Sequence, residues 1–161
     1  MNIDRKRRLF DLVVWITSSL LALSLLAIDA QAGSRNLAAD NATWRAECGS
    51  CHVAYPPALL PAADWRRLMG SLARHFGADA AIDAKAAAEI EAFLAGNAGR
   101  GEGASDAAPR ITTTRWFRHE HGQLSAAVLG SPKVKTAANC AACHPGAASG
   151  NFDEHAVTIP R

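Results

Sequence analysis

The sequence predicts a small, mostly α-helical and loop-rich protein, organised as two lobes around two copies of one cysteine-histidine motif. Three observations predict this fold class. Apolar residues recur with helical spacing in two segments, no segment alternates as a β-strand does, and a glycine-rich stretch separates the two copies of the motif. A chain of 161 residues is long enough for one ordinary domain or two small lobes.

The N-terminus has the pattern of an export signal. A basic run at residues 5–8 precedes an apolar stretch at residues 12–27, and Ala-Gln-Ala at residues 30–32 provides a small-residue cleavage site. We therefore predict a signal peptide over residues 1–32 and a periplasmic mature protein. The alternative is an uncleaved membrane anchor, because the apolar run reaches the lower length limit of a spanning helix.

Net charge argues against a nucleic-acid partner. Removal of residues 1–32 takes away four basic and three acidic residues and lowers the formal net charge from +2 to +1. A protein that binds nucleic acid normally concentrates basic residues in its working part. The mature chain has no such excess.

The four cysteines occur as two copies of C-x-x-C-H, at residues 48–52 and 140–144. Such motifs form disulfides, a metal site or covalent attachment sites for c-type haem. Disulfides suit an exported protein, but they do not explain why a histidine follows each second cysteine. From composition alone, the probability that both do so by chance is roughly 0.0014. Zinc knuckles are about 15–20 residues apart, whereas 88 residues separate Cys51 from Cys140. Two c-type haems are the favoured interpretation.

Haem attachment explains the spacing within each motif. The two thiols add to the two vinyl groups on one edge of the porphyrin, and the short turn then carries the next residue under the iron as a neutral imidazole ligand. The pattern assigns haem 1 to Cys48, Cys51 and His52, and haem 2 to Cys140, Cys143 and His144.

The first lobe, residues 33–98, contains two predicted helices. One begins at Pro61 and ends at Gly77, with an apolar face that includes His75. The other covers residues 83–95, with three apolar residues on one stripe (Ile90, Phe93 and Leu94), and is stopped by Gly96 and Asn97. The glycine-rich residues 99–108 are predicted to be a linker, and residues 109–161 form the second lobe.

The ligand on the other side of each iron separates an electron carrier from a haem enzyme, because an open iron binds gases or peroxide. Outside the motifs, the mature chain offers five candidates: Met69, His75, His119, His121 and His155. For haem 1 we favour His75, since it follows the motif on an apolar face. Met69 is then interpreted as a residue that packs in the core.

For haem 2 the candidates are His119, His121 and His155. If Thr113 or Thr114 caps a helix, Phe117 and His121 share one face at i, i+4. On such a helix His119 and His121 point in nearly opposite directions, so only one of them reaches the iron.

These residues together resemble the small bacterial di-haem cytochrome c family called DHC. The resemblance covers residues 44–161 and rests on short stretches that occur in the family's order: Tyr-Pro-Pro at 55–57, His-Phe-Gly at 75–77, Trp-Phe at 116–117 with His121, the second motif and the Ile-Pro ending. It implies bis-histidine ligation by His52 and His75 at haem 1 and by His144 and His121 at haem 2. His119 departs from the family pattern and is the second choice at haem 2.

The resemblance also implies a function. It predicts a periplasmic electron-transfer protein, not an enzyme, whose redox partners are a membrane b-type cytochrome and a small oxygen-binding c-type haem protein. The alternatives are a peroxidase-like or gas-binding haem protein with one open iron, and a di-haem electron-entry subunit of a periplasmic reductase.

Overall fold

The computed structural model describes residues 37, 39–104 and 106–160. They belong to one compact unit, Arg35–Arg161. The predicted signal peptide lies outside the described residues. Within the described part, no helix is long and apolar enough to cross a membrane.

The described residues are helical and rich in loops, as the sequence predicts. They form five α-helices: α1 (Ala42–Cys48), α2 (Ala62–Met69), α3 (Ala84–Gly96), α4 (Arg115–Glu120) and α5 (Ala126–Leu129). Short 3₁₀ helices connect them at Pro57–Leu59, Leu72–Arg74, Ile111–Thr113, Cys140–Ala142, Ala147–Ser149 and Glu154–Ala156. These residues contain no β-strand, only one isolated bridge between His75 and Ala78.

Helices α1, α2 and α3 pack around one apolar cluster. Its buried members are Trp44, Leu60, Trp65, Leu68, Ile90, Leu94 and Ala104. The indole Nε1–H of Trp65 donates to the Pro57 carbonyl at 2.7 Å, which satisfies the polar atom of this large side chain. Each large apolar side chain buried here contributes on the order of 1.5–3 kcal/mol.

The predicted second helix is confirmed. The Asp83 carboxylate accepts the backbone N–H groups of Lys85 and Ala86 and caps the start of α3. Ile90 and Leu94 are fully buried, as the apolar stripe requires. Gly96 is the last helical residue, and Asn97 is the C-cap.

The predicted helix from Pro61 to Gly77 is wrong, because α2 ends at Met69. The Ser71 hydroxyl donates to the carbonyls of Arg67 and Leu68 and so competes with continuation of the helix. The chain then makes one 3₁₀ turn at Leu72–Arg74.

His75 therefore lies in a turn and not on a helical face shared with Trp65. Phe76 has φ 52° and Gly77 has φ 99°, so two consecutive residues adopt left-handed conformations. Glycine takes this conformation at little cost, whereas phenylalanine does not. The turn after His75 thus stores strain that the surrounding contacts hold.

Part of the glycine-rich segment is held by a buried carboxylate. Asp64 is 4% exposed, accepts the backbone N–H of Ala104 at 2.7 Å and pairs with Arg67 at 2.6 Å. A Cβ atom at Gly103 would lie 2.7 Å from Asp64 Oδ2, so this position requires glycine. Residues 103 and 104 are therefore fixed to the start of α2.

Candidate haem sites

The first site brings together His52 of the first motif and His75 of the strained turn. Their ring centres are 6.2 Å apart and their planes differ by 26°. Helix α1 ends at Cys48, and Gly49 allows the tight turn into the motif because a Cβ there would overlap the Arg45 carbonyl oxygen. His52 and His75 are both half-buried.

The second site brings together His121 and His144 of the second motif. Their ring centres are 6.3 Å apart and their planes differ by 70°. The Thr114 hydroxyl accepts the backbone N–H of Phe117 at 3.1 Å and caps α4, which confirms one of the two predicted caps. His121 follows the last helical residue, and its ring stacks on Phe117 at 4.1 Å. The predicted i, i+4 pairing of these two side chains is confirmed.

The spacing within both pairs fits one iron between two imidazoles. A metal–nitrogen bond of about 2 Å on each side, with each nitrogen about 1.2 Å from its ring centre, gives ring centres about 6.4 Å apart. The observed separations of 6.2 and 6.3 Å agree with this value.

Hydrogen bonds fix one imidazole in each pair for metal binding. The Nδ1–H of His52 donates to the Val53 carbonyl at 2.7 Å, and the Nδ1–H of His121 donates to the Phe117 carbonyl at 3.0 Å. Because a carbonyl only accepts, Nδ1 carries the proton and Nε2 presents its lone pair.

The other imidazole in each pair has a different environment. Among the described residues, Nδ1 of His75 and Nδ1 of His144 are buried without a hydrogen-bond partner. Buried polar atoms normally have partners, so water or a bound group would have to satisfy these two atoms. Burial, together with the neighbouring imidazole, lowers the pKa of His75 and of His144. Both rings are therefore favoured in the neutral form that binds metals.

The four cysteines form no disulfide with one another. Burial and the adjacent Glu47 raise the pKa of the Cys48 thiol to about 11, and burial raises the pKa of the Cys140 thiol, so neither is an activated nucleophile. No group of three or more histidine, cysteine or acidic side chains in the described part could hold a metal ion. The zinc alternative thus has no support there.

The remaining ligand candidates lie away from both imidazole pairs. The side chain of His119 is 82% exposed, contacts Glu120 and lines an open cavity of about 300 Å³ that does not include His121. The side chain of His155 is 87% exposed. Met69 packs, half-buried, against the apolar cluster of α1–α3.

Every paired histidine has an aromatic neighbour, and of these four contacts the sequence analysis predicted only that of His121 with Phe117. The distances between ring centres are 4.5 Å for His52–Tyr55, 4.8 Å for His75–Phe76, 4.1 Å for His121–Phe117 and 5.3 Å for His144–Phe152. All four neighbours lie within eight residues of their histidine in the chain, so short sequence separation was the available signal. These contacts restrict the orientation of the imidazole rings.

Two imidazole pairs joined to two C-x-x-C-H motifs on a helical, strand-poor scaffold define a di-haem c-type cytochrome. Residues 44–152 match the family model for dihaem cytochrome c. The chain belongs to this family and binds two c-type haems, so the resemblance predicted from the sequence is confirmed.

Solved structures agree with this assignment. The chain is 39% identical to the dihaem cytochrome c of Shewanella baltica, with a TM-score of 0.66 over 74% of this chain and 93% of that one. A crystal structure of DHC from Rhodobacter sphaeroides is 42% identical, with a TM-score of 0.60 over 70% and 96% of the two chains. A second structure of dihaem cytochrome c from R. sphaeroides is 41% identical, with a TM-score of 0.62 over the same shares. Among curated proteins, no relative matched this chain.

Proposed function

We propose that the chain is a periplasmic electron carrier, not an enzyme, in which each haem iron binds two histidines. The observation that carries this proposal is the pairing of two imidazoles at each site, with ring centres 6.2 and 6.3 Å apart, the spacing of two ligands on one iron. Each pair combines one histidine of a C-x-x-C-H motif with one from a separate segment.

The proposed ligand sets follow from these pairs. Cys48 and Cys51 attach haem 1, and His52 and His75 bind its iron. Cys140 and Cys143 attach haem 2, and His144 and His121 bind its iron. The high exposure of His119 supports His121 as the ligand at haem 2.

Two histidine ligands favour electron transfer over catalysis. A haem held by His52 and His75, or by His144 and His121, would supply one-electron chemistry between the ferric and ferrous states of its iron. His75 and His121 would occupy the position at which a gas or peroxide binds, and their aromatic neighbours restrict their movement. The chain therefore keeps the iron ligands the same in both oxidation states, which reduces the rearrangement that accompanies electron transfer.

The location and partners of the carrier are also proposals. The export pattern of residues 1–32 supports a periplasmic protein. The family resemblance supports two redox partners, a membrane b-type cytochrome and a small oxygen-binding c-type haem protein. An electron-entry subunit of a periplasmic reductase would have the same ligands and differ only in its partner.

Carbon monoxide tests the proposal directly. We expect the reduced holoprotein to bind almost no carbon monoxide, because both irons have side-chain ligands on both sides. Uptake of one carbon monoxide per chain would contradict the carrier function and favour a haem with an open iron.

Single substitutions test the two distal ligands. We expect His75→Ala and His121→Ala each to make one haem high-spin in the ferric state and reactive with carbon monoxide in the ferrous state. His119→Ala is the matched control at haem 2, since it removes an exposed imidazole two residues from His121. If His119→Ala opens haem 2 while His121→Ala leaves it low-spin, the assignment of that ligand is wrong.

A further inference from the structure

Tyr55 contacts the first candidate haem site and the segment that leads into the second C-x-x-C-H motif. Its ring stacks on the imidazole of His52, with the ring centres 4.5 Å apart and the planes within 17° of each other. Its hydroxyl donates a hydrogen bond of 2.7 Å to the carbonyl of Ala138, 83 residues further along the chain. One side chain thus joins the proximal histidine of the first site to the segment that begins the second motif.

The Ala138 carbonyl is closely connected to the attachment cysteine Cys140. The backbone N–H of Cys140 donates to this carbonyl at 3.0 Å, and Cys140 Sγ lies 3.6 Å from it. The side-chain amide of Asn139 donates to the carbonyl of Val134. Val134 is only 2% exposed, so this bond ties the segment to a buried residue. The Tyr55 hydroxyl therefore holds the backbone from which Cys140 projects.

The position of Tyr55 is itself fixed by its neighbours. Pro56 and Pro57 follow it and are fully buried, and a residue before proline has a restricted backbone. The Pro57 carbonyl accepts the indole N–H of Trp65, which ties this segment to α2. The Tyr55 ring and hydroxyl are thus presented from a rigid part of the apolar cluster.

We propose that Tyr55 is a positioning residue for electron transfer between the two haems: its ring orients His52, and its hydroxyl holds Cys140 in place. This inference rests on the ligand sets proposed above. The two functions belong to different parts of the side chain, so they are separable by substitution. Neighbours of metal ligands orient those ligands in this way.

Tyr55→Phe removes only the hydroxyl and keeps the ring on His52. We expect the low-spin EPR signal of haem 1 to stay unchanged, while the signal of haem 2 shifts or broadens. Electron equilibration between the haems, followed after rapid photoreduction of one of them, should slow several-fold. A general loss of stability would affect the signals of both haems and not that of haem 2 alone.

Tyr55→Leu removes both the ring and the hydroxyl, and we expect both EPR signals to change. Phe117→Leu is the matched control, because it removes the ring that stacks on His121 and should change the haem 2 signal alone. Tyr55 is the only tyrosine of the chain, so isotope-labelled tyrosine reports its hydrogen bond as a single resonance.

The outcomes separate this inference from the proposed function. The positioning role alone would be overturned if the wild type gave two low-spin signals and the Tyr55→Phe variant matched it. The match would have to hold for both the haem 2 signal and the rate of electron equilibration. A high-spin iron in the wild type would overturn the ligand sets and this inference with them.

Discussion

The two haem sites are built from the same motif but supported by unequal amounts of protein. The first motif continues from α1 and lies against the large apolar cluster of α1–α3. Around the second motif, the buried apolar residues among those described after residue 109 are Phe117, Val134 and Ala147. The first site therefore has a core of its own, whereas the second depends more on its cofactor.

The sites also differ in which imidazole the backbone holds. At the first site the hydrogen bond to a carbonyl belongs to the motif histidine, His52, whereas at the second it belongs to the distal histidine, His121. The partner histidines, His75 and His144, each have a buried Nδ1 without a protein acceptor among the described residues. A shared C-x-x-C-H motif thus does not give the two irons the same ligand environment, because outer contacts tune a ligand's basicity and orientation.

Removal of the attachment cysteines is the strongest test of whether the second haem site depends more on its cofactor than the first. We expect Cys140→Ser with Cys143→Ser to lose haem 2 and to leave residues 109–160 without hydrogen-exchange protection, because few apolar side chains remain buried there. The matched variant, Cys48→Ser with Cys51→Ser, should lose haem 1 but keep protection in α2 and α3. Hydrogen exchange read by mass spectrometry distinguishes the two segments. Equal loss of protection in α2 and α3 in both variants would show that the apolar cluster is not self-supporting.

Gly77→Ala tests the strained turn that presents His75. No atom lies within 4 Å of a Cβ at this position, so the cost is the left-handed backbone at φ 99° alone. We expect the free energy of unfolding to fall by about 1–2 kcal/mol, with a spectral change at haem 1 and none at haem 2. Denaturant titration of the holoprotein measures the first quantity.

Gly96→Ala provides the matched control for that change. Gly96 also has open space around its Cβ position, but it is the last residue of α3 and has no positive φ. Alanine should stabilise this position by up to about 1 kcal/mol. A Gly77→Ala variant as stable as the Gly96→Ala variant would argue against strain in the His75 turn.

Local sequence patterns predicted the features that depend on near neighbours. The extent of α3, its buried stripe and the pairing of Phe117 with His121 all follow from spacings of one helical turn. The C-x-x-C-H spacing predicted the two haems, because covalent attachment requires it.

The features that were missed depend on competition or on distance along the chain. The apolar spacing continues from Trp65 to His75, yet α2 ends at Met69, where the Ser71 hydroxyl bonds to carbonyls of the last turn. The hydrogen bond from Tyr55 to Ala138 joins segments 83 residues apart, and no periodicity within either segment contains it. Such contacts come from tertiary packing.

EPR spectroscopy of the fully oxidised holoprotein tests the central claim, that each iron lies between two histidines. Nearly parallel imidazole planes separate the iron d orbitals and give a rhombic low-spin signal, whereas nearly perpendicular planes leave two orbitals close in energy and give a strongly anisotropic one. The ring planes differ by 26° at the first site and by 70° at the second. We predict two low-spin signals of equal intensity, of which only the second is strongly anisotropic. A high-spin signal equivalent to one iron per chain would contradict the account.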